Sequence, residues 1–271
     1  MTKMFFLSLI FSLGILIPPP VDEIYFIIHV KGSIVLQKDQ IPLKTGMKIM
    51  ASDQLNFKTK DAMAVVTGSE RGRFVIKNNS NPPTEEMIAF AKDVVEPLKT
   101  NTSISTRSMG KKVSDFRAYF GDSTFYVIGD KLEFEVDPAK YKPGGNQNFQ
   151  VRYKLGDYTV NPNATSGNIF TVNNLKLHTA VAKEFKTEKI EVFWVVNQPR
   201  SVEKLATFQP IFINEDDLKA EYKALMDALN GKTLAPNELT NYLEGYFRDV
   251  YGRTDKAIFD EWLEKNVKNK R

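Results

Sequence analysis

The chain offers few side chains with the right types and spacing for chemistry. It has two histidines, His29 inside an apolar run and His178 beside Leu175 and Leu177, and neither lies in a metal-ligand motif. Both read as structural or merely exposed. Glu133, Glu135 and Asp137 alternate along one extended stretch, so a strand there would put three carboxylates on one face. Such a row could hold a cation or perform acid–base work, and a solvated sheet face accounts for it as well. No Gly-x-Ser-x-Gly elbow and no phosphate-cradling glycine loop occurs. The absence of cysteine removes disulfides, thiol nucleophiles, thiolate metal sites and a lipid-modified cysteine together. Trp194, within Val-Phe-Trp-Val-Val, reads as a core residue, and Gly68-Ser69-Glu70-Arg71-Gly72 as a hairpin loop. No residue is therefore assigned a catalytic, cofactor-binding or metal-ligating role, and no cofactor is expected.

The elements that would position these residues begin after an apolar leader. Lys3 precedes an almost unbroken apolar run from Met4 to Ile17, which Pro18, Pro19 and Pro20 end. The run is shorter than the roughly 20 residues that cross a bilayer. Residues 1–20 are expected to act as a secretory signal or N-terminal anchor; a buried N-terminal helix is the alternative. Short β-branched and aromatic runs follow at 24–30, 33–37, 43–49, 55–57, 62–66 and 73–76, the pattern of a small all-β unit over residues 24–80.

Within it, Val30-x-Gly32-x-Ile34 opens the unit, Pro42-Leu43-Lys44-Thr45-Gly46-Met47-Lys48-Ile49 forms a turn and strand, and Asp53-x-Leu55 follows. Ala62-Met63-Ala64-Val65-Val66 then leads to Gly72-Arg73-Phe74-Val75-Ile76. This stretch, residues 30–77, resembles a FecR-like domain, a small β fold of bacterial envelope sensors and regulators. The resemblance implies an envelope location and protein partners in or near the membrane. From strand spacing alone, a generic small β-barrel fits as well. Gly46 is expected at a turn that needs positive φ.

Pro83, the acidic pair Glu85 and Glu86, and apolar Met87, Ile88, Phe90, Ala91, Val94 and Val95 predict an amphipathic helix ended by Pro97. It opens a helix-and-linker segment over 81–112. Residues 113–213 carry further strand patterns, at 124–128, 131–136, 149–153, 158–160, 168–172, 190–196 and 206–213. The first two flank Gly129-Asp130 and read as a hairpin. Strands at this spacing predict an immunoglobulin-like β-sandwich. Residues 214–271 predict about three α-helices: one capped by Asn214 with Leu218, Tyr222 and Leu225 on one face, one from Pro236 to about Gly252, and one from Thr254-Asp255 onward.

With 271 residues, 42% hydrophobic and 26% charged, the chain can bury a sizeable core, and disorder is not the main expectation. A net charge of +4 over 37 basic and 33 acidic side chains gives no cause to invoke nucleic acid. The fold class expected is mainly β with a helical C-terminal region. The function expected is that of an exported, non-catalytic adaptor, periplasmic or envelope-associated, binding envelope or membrane proteins or glycan, with membrane association possible through the N-terminus. Two alternatives stay open: a FecR-like signalling regulator and a carboxylate-dependent cell-wall glycan hydrolase.

Overall fold

The computed structural model describes residues 23–68, 72–78, 87–99, 112–155, 158–174, 189–229 and 234–267. The chain is mainly β, 46% strand against 24% helix, with the longer helices gathered at its C-terminal end. The leader at 1–20, His178, the middle of the Gly68–Gly72 loop and most of the linker lie outside the described residues.

The first β unit opens with β1 (Ile24–Lys31), β2 (Ile34–Leu36), β3 (Ile41–Pro42), β4 (Lys48–Met50), β5 (Gln54–Phe57), β6 (Met63–Gly68) and β7 (Arg73–Lys77). All but β3 overlap the runs expected to be strands; β3 precedes the run expected at 43–49, of which only the end, in β4, is strand. Gly46 has φ of +88° and donates its N–H to the Ile27 carbonyl at 2.8 Å, as its turn requires.

The helix expected from residue 83 to Pro97 does not form among the described residues. Its place is taken by β8 (Met87–Phe90), a single turn α1 (Ala91–Val94) and β9 (Val95–Pro97). The reason is tertiary. β5 and β7 would otherwise be edges with open backbone groups, and β8 and β9 pair antiparallel with them. Two short strands joined by one helical turn had mimicked a helical period. The unit thus has two sheets, ordered β4-β1-β6-β7-β9 and β3-β2-β5-β8, and runs to Pro97. Ile27, Leu55, Phe57, Ala64, Val66 and Ile76 fill the core between them with no measurable exposure.

The second β unit begins with a short helix, α2 (Phe116–Phe120), which no pattern had announced. Asp115 caps it by accepting from the Ala118 N–H at 2.9 Å, and Gly121, in the left-handed region, ends it. Then come β10 (Thr124–Ile128), β11 (Lys131–Glu135), β12 (Gln147–Leu155), β13 (Tyr158–Val160), β14 (Thr165–Ser166), β15 (Ile169–Asn173), β16 (Ile190–Asn197) and β17 (Arg200–Ile213).

The Gly129-Asp130 hairpin is also corrected. β10 pairs parallel with β17, whereas β11 pairs antiparallel with β15, so the turn carries the chain from one sheet to another. Gly129 donates to the Ile213 carbonyl on one side and Asn174 donates to the Asp130 carbonyl on the other, so each half of the turn belongs to a different ladder. The sheets are ordered β10-β17-β16-β12-β13 and β11-β15-β14. Phe116 and Phe120 of α2 join Phe125, Phe149, Phe170 and Phe208 in one aromatic core fed by both. Trp194 packs on its margin, 4.6 Å from the Phe149 ring, as a core residue would.

Three C-terminal helices follow as expected: α3 (Glu215–Ala228), α4 (Pro236–Val250) and α5 (Lys256–Asn266). Asn214 accepts from the Asp216 and Asp217 N–H groups at the start of α3, and Asp255 accepts from the Ile258 N–H at the start of α5. Their apolar faces do not close on one another alone. The cluster that contains Leu218, Leu225, Leu243 and Phe247 also holds Ile28 and Val65 of the first unit and Ile128 and Ile213 of the second. The helices are thus the shared packing surface of two β units.

Candidate functional site

A group of ionisable side chains lies at that shared surface. It starts from an irregularity in β1. The pairing of β1 with β6 slips between Ile27 and His29, a β-bulge that leaves Ile28 without a cross-strand partner. Ile27 packs in the first unit's own core, but Ile28 and His29 both turn toward the helices, Ile28 into the helical cluster and His29 onto α3. In an unbroken strand these two neighbours would face opposite sides. The bulge therefore delivers a histidine to a helix surface.

There His29 Nδ1 lies 2.7 Å from Glu221 Oε1, and the Glu221 side chain is only 5% exposed. Tyr246, on α4, donates its hydroxyl to Glu221 Oε2 at 2.7 Å; Tyr251, just past α4, donates to both carboxylate oxygens at 2.8 and 2.7 Å. Burial and the adjacent Glu221 carboxylate push both phenols well above their ordinary value, so they stay protonated and able to donate. Three groups, one from β1 and two from the C-terminal end of α4, thus surround one carboxylate. A group so engaged is held in place.

Two further contacts repeat the arrangement. Arg73 of β7 meets Asp249 of α4 at 2.6 Å, with side-chain exposures of 19% and 2%, and its guanidinium also donates to the Tyr242 carbonyl. In the second unit the hydroxyl of Tyr119, on α2, donates to Asp255 Oδ2 at the start of α5. Burial and the Asp255 carboxylate hold the Tyr119 phenol well above its ordinary value. Thr254 donates to the Tyr126 carbonyl at 2.7 Å, and the Tyr126 and Tyr251 rings meet edge to face at 5.5 Å. The chain His29, Tyr251, Tyr126 therefore runs from one β unit, across the helices, into the other.

No family model, curated protein or solved structure matches the chain. Its own geometry is what bears on its role.

The three carboxylates singled out in the sequence do not converge on a site. Glu133 is paired with Lys131 and accepts from Thr171, and the Lys131 hydrogen bond lowers its pKa. Glu135 faces Lys112 at 3.5 Å, while Asp137 accepts from the Ala139 N–H in the turn after β11. Among the described residues no three His, Asp or Glu side chains are placed to hold a metal ion. The sequence reading missed Glu221, although a signal was there: with Leu218, Tyr222 and Leu225 it completes the i, i+3, i+4, i+7 stripe. A carboxylate on an apolar stripe requires buried partners.

Proposed function

We propose that the protein is an exported, non-catalytic adaptor of the bacterial cell envelope, acting through the outer faces of its β units on protein or glycan partners. One observation carries this reading. The buried side chains of Glu221, Asp249 and Asp255, with the half-buried His29 and Arg73, tie β units to helices through hydrogen bonds and ion pairs. Their chemistry is spent on holding two β units at a fixed spacing, which suits a scaffold that presents surfaces.

Other features support parts of it. The apolar leader before the Pro18–Pro20 stop fits export. The FecR-like reading of the first unit is supported by the turn at Gly46 and by strands on the expected runs. An immunoglobulin-like second unit is supported by strand order: taking β10 to β17 as A, B, C, C′, D, E, F, G puts B, E and D in one sheet and C, F and G in the other. Among the described residues no helix is long and apolar enough to cross a membrane.

The test is fractionation of cells expressing the full-length chain, with the N-terminal mass measured. Recovery in the envelope or periplasm, shortened at its leader or held by it, is the expected result. Recovery in the cytosol with Met1 intact overturns the reading, as does glycan hydrolysis by the purified protein that Glu133→Gln abolishes.

A further inference from the structure

The outer face of the larger sheet of the second β unit carries an open groove of about 640 Å³. It crosses four adjacent strands. The register explains its lining: Lys154 lies opposite Thr159 of β13, Arg152 opposite Glu191 of β16, and Glu191 opposite Thr207 of β17. All therefore point outward, away from the aromatic core. Lys189, just before β16, Gln209 and the mostly buried Tyr153 of β12 complete the lining.

Charge is unevenly distributed there. Arg152, Lys154 and Lys189 supply three cations, and the single carboxylate that lines the groove, Glu191, is already paired with a fourth, Lys204. Asp122, which accepts from the Thr207 N–H at the margin, is itself paired with Arg117 at 3.1 Å. Among the described residues the groove thus has a surplus of positive charge. Like charges crowded on one sheet face are unfavourable unless something neutralises them. Arg152 is also held in position: its Nε donates to Asn161 Oδ1 at 2.9 Å, and its guanidinium lies 4.4 Å from the Phe193 ring centroid.

From this we infer that the groove binds an acidic polysaccharide, a chain of uronate-type sugars running across the strands. The inference rests on the adaptor reading above and names the ligand of one of its surfaces. Two features select an acidic glycan over an acidic peptide. Backbone groups of β12 and β16, in the middle of the sheet, are already paired in its ladders, so over these strands, unlike at the edge strand β13, the groove offers side chains only. The charged donors (one guanidinium and two ammonium groups) outnumber the one charged acceptor, Glu191, which is paired with Lys204; the remaining acceptors are the hydroxyl oxygens of Tyr153, Thr159 and Thr207 and the Gln209 amide oxygen. A peptide brings backbone N–H groups that need acceptors and usually an apolar anchor that needs a pocket. An acidic sugar chain brings carboxylates, ring oxygens and hydroxyls, which the lining can satisfy.

The test uses the purified full-length chain with polygalacturonate as probe, neutral dextran and poly-glutamate as comparators, and calorimetric titration at two salt concentrations. Polygalacturonate is expected to bind, more weakly at higher salt, with dextran not binding and poly-glutamate clearly weaker. Lys154→Glu combined with Lys189→Glu should weaken binding by about tenfold or more. Lys38→Glu with Lys223→Glu makes the same change in net charge at exposed sites elsewhere and should leave binding within about twofold of the parent. Unchanged thermal unfolding of both double variants shows that they are folded. Absence of polygalacturonate binding overturns the inference, as does equal loss in the two double variants or binding of poly-glutamate as tight as that of the sugar polymer. Any of these failures leaves the export result untouched, and a failed export result leaves the groove chemistry untouched, so the two readings fall separately.

Discussion

Glu221 is the residue on which the contact between the first β unit and the helices turns. It is buried, and its charge is tolerated because His29, Tyr246 and Tyr251 surround it with donors. Glu221→Ala should lower stability by about 3–5 kcal/mol in denaturant titration, because it removes one member of a buried network and strands three polar groups. Tyr246→Phe removes one donor and keeps the ring, so a loss of about 1–3 kcal/mol is expected. The tyrosines also fix an alkaline limit. Their pKa values in the folded chain lie above the ordinary value of 10, so the neutral phenol is favoured by folding. That contribution is fully present below pH 10 and is lost progressively as pH rises toward the folded values. Phenolate absorbance should accordingly show the buried phenols Tyr119, Tyr222, Tyr246 and Tyr251 ionising only as the protein unfolds, while Tyr119→Phe and Tyr246→Phe should each lower the amplitude of that late phase. A late phase of unchanged amplitude in both variants would place those two phenols in water. The sequence showed both halves of this contact separately, an apolar strand with one histidine and a helical stripe with one carboxylate. What joined them was a bulge at Ile28, and a continuous apolar run such as Ile24–Val30 carries no mark of where a bulge falls.

At the scale of elements, local pattern succeeded where neighbours were close in sequence and failed where a distant strand decided the outcome. α3, α4 and α5 were legible because caps, acidic first turns and apolar stripes are all local signals. The segment Met87–Pro97 was not, since its fate depends on the open edges of β5 and β7. Nor was the link between β10 and β11. A Gly-Asp pair between two strand-like runs fits a hairpin and an arch equally, and only β17, some eighty residues away, claims β10. The turn between β1 and β2 makes a sharper prediction. Gly32 has φ of +71°, and a Cβ there would sit 2.5 Å from Thr59 Oγ1 and 2.9 Å from the Ala62 Cα. Thr59 Oγ1 also accepts from the Ser33 N–H. Gly32→Ala must therefore strain the backbone and displace this contact, at a cost of about 2–4 kcal/mol by thermal or chemical unfolding. Gly46→Ala, with nothing within 4 Å of the added carbon, bears only the backbone strain and should cost about 1–2 kcal/mol.

For the molecule as a whole, the central question is whether two β units joined through helices behave as one cooperative body. Ile28 and Val65 from one unit and Ile128 and Ile213 from the other are buried in the same helical cluster, so neither unit can leave without exposing apolar surface of the helices. Arg73 and Asp249 lie on the first unit's side of that cluster, whereas β10 lies on the second. If the cluster transmits stability, Arg73→Ala should speed hydrogen exchange of amides in β1 and β6 and, to a similar extent, of amides in β10 and β17, because their protection then depends on one shared opening. Expressed as free energy, the loss should be about 2–4 kcal/mol in both units, since the substitution leaves the buried Asp249 without its closest cation. Exchange faster in β1 and β6 alone would mean that the helices belong energetically to the second unit and that the first is merely docked. The fixed spacing on which the adaptor reading depends would then be lost, and the two β surfaces would have to be treated as independent modules.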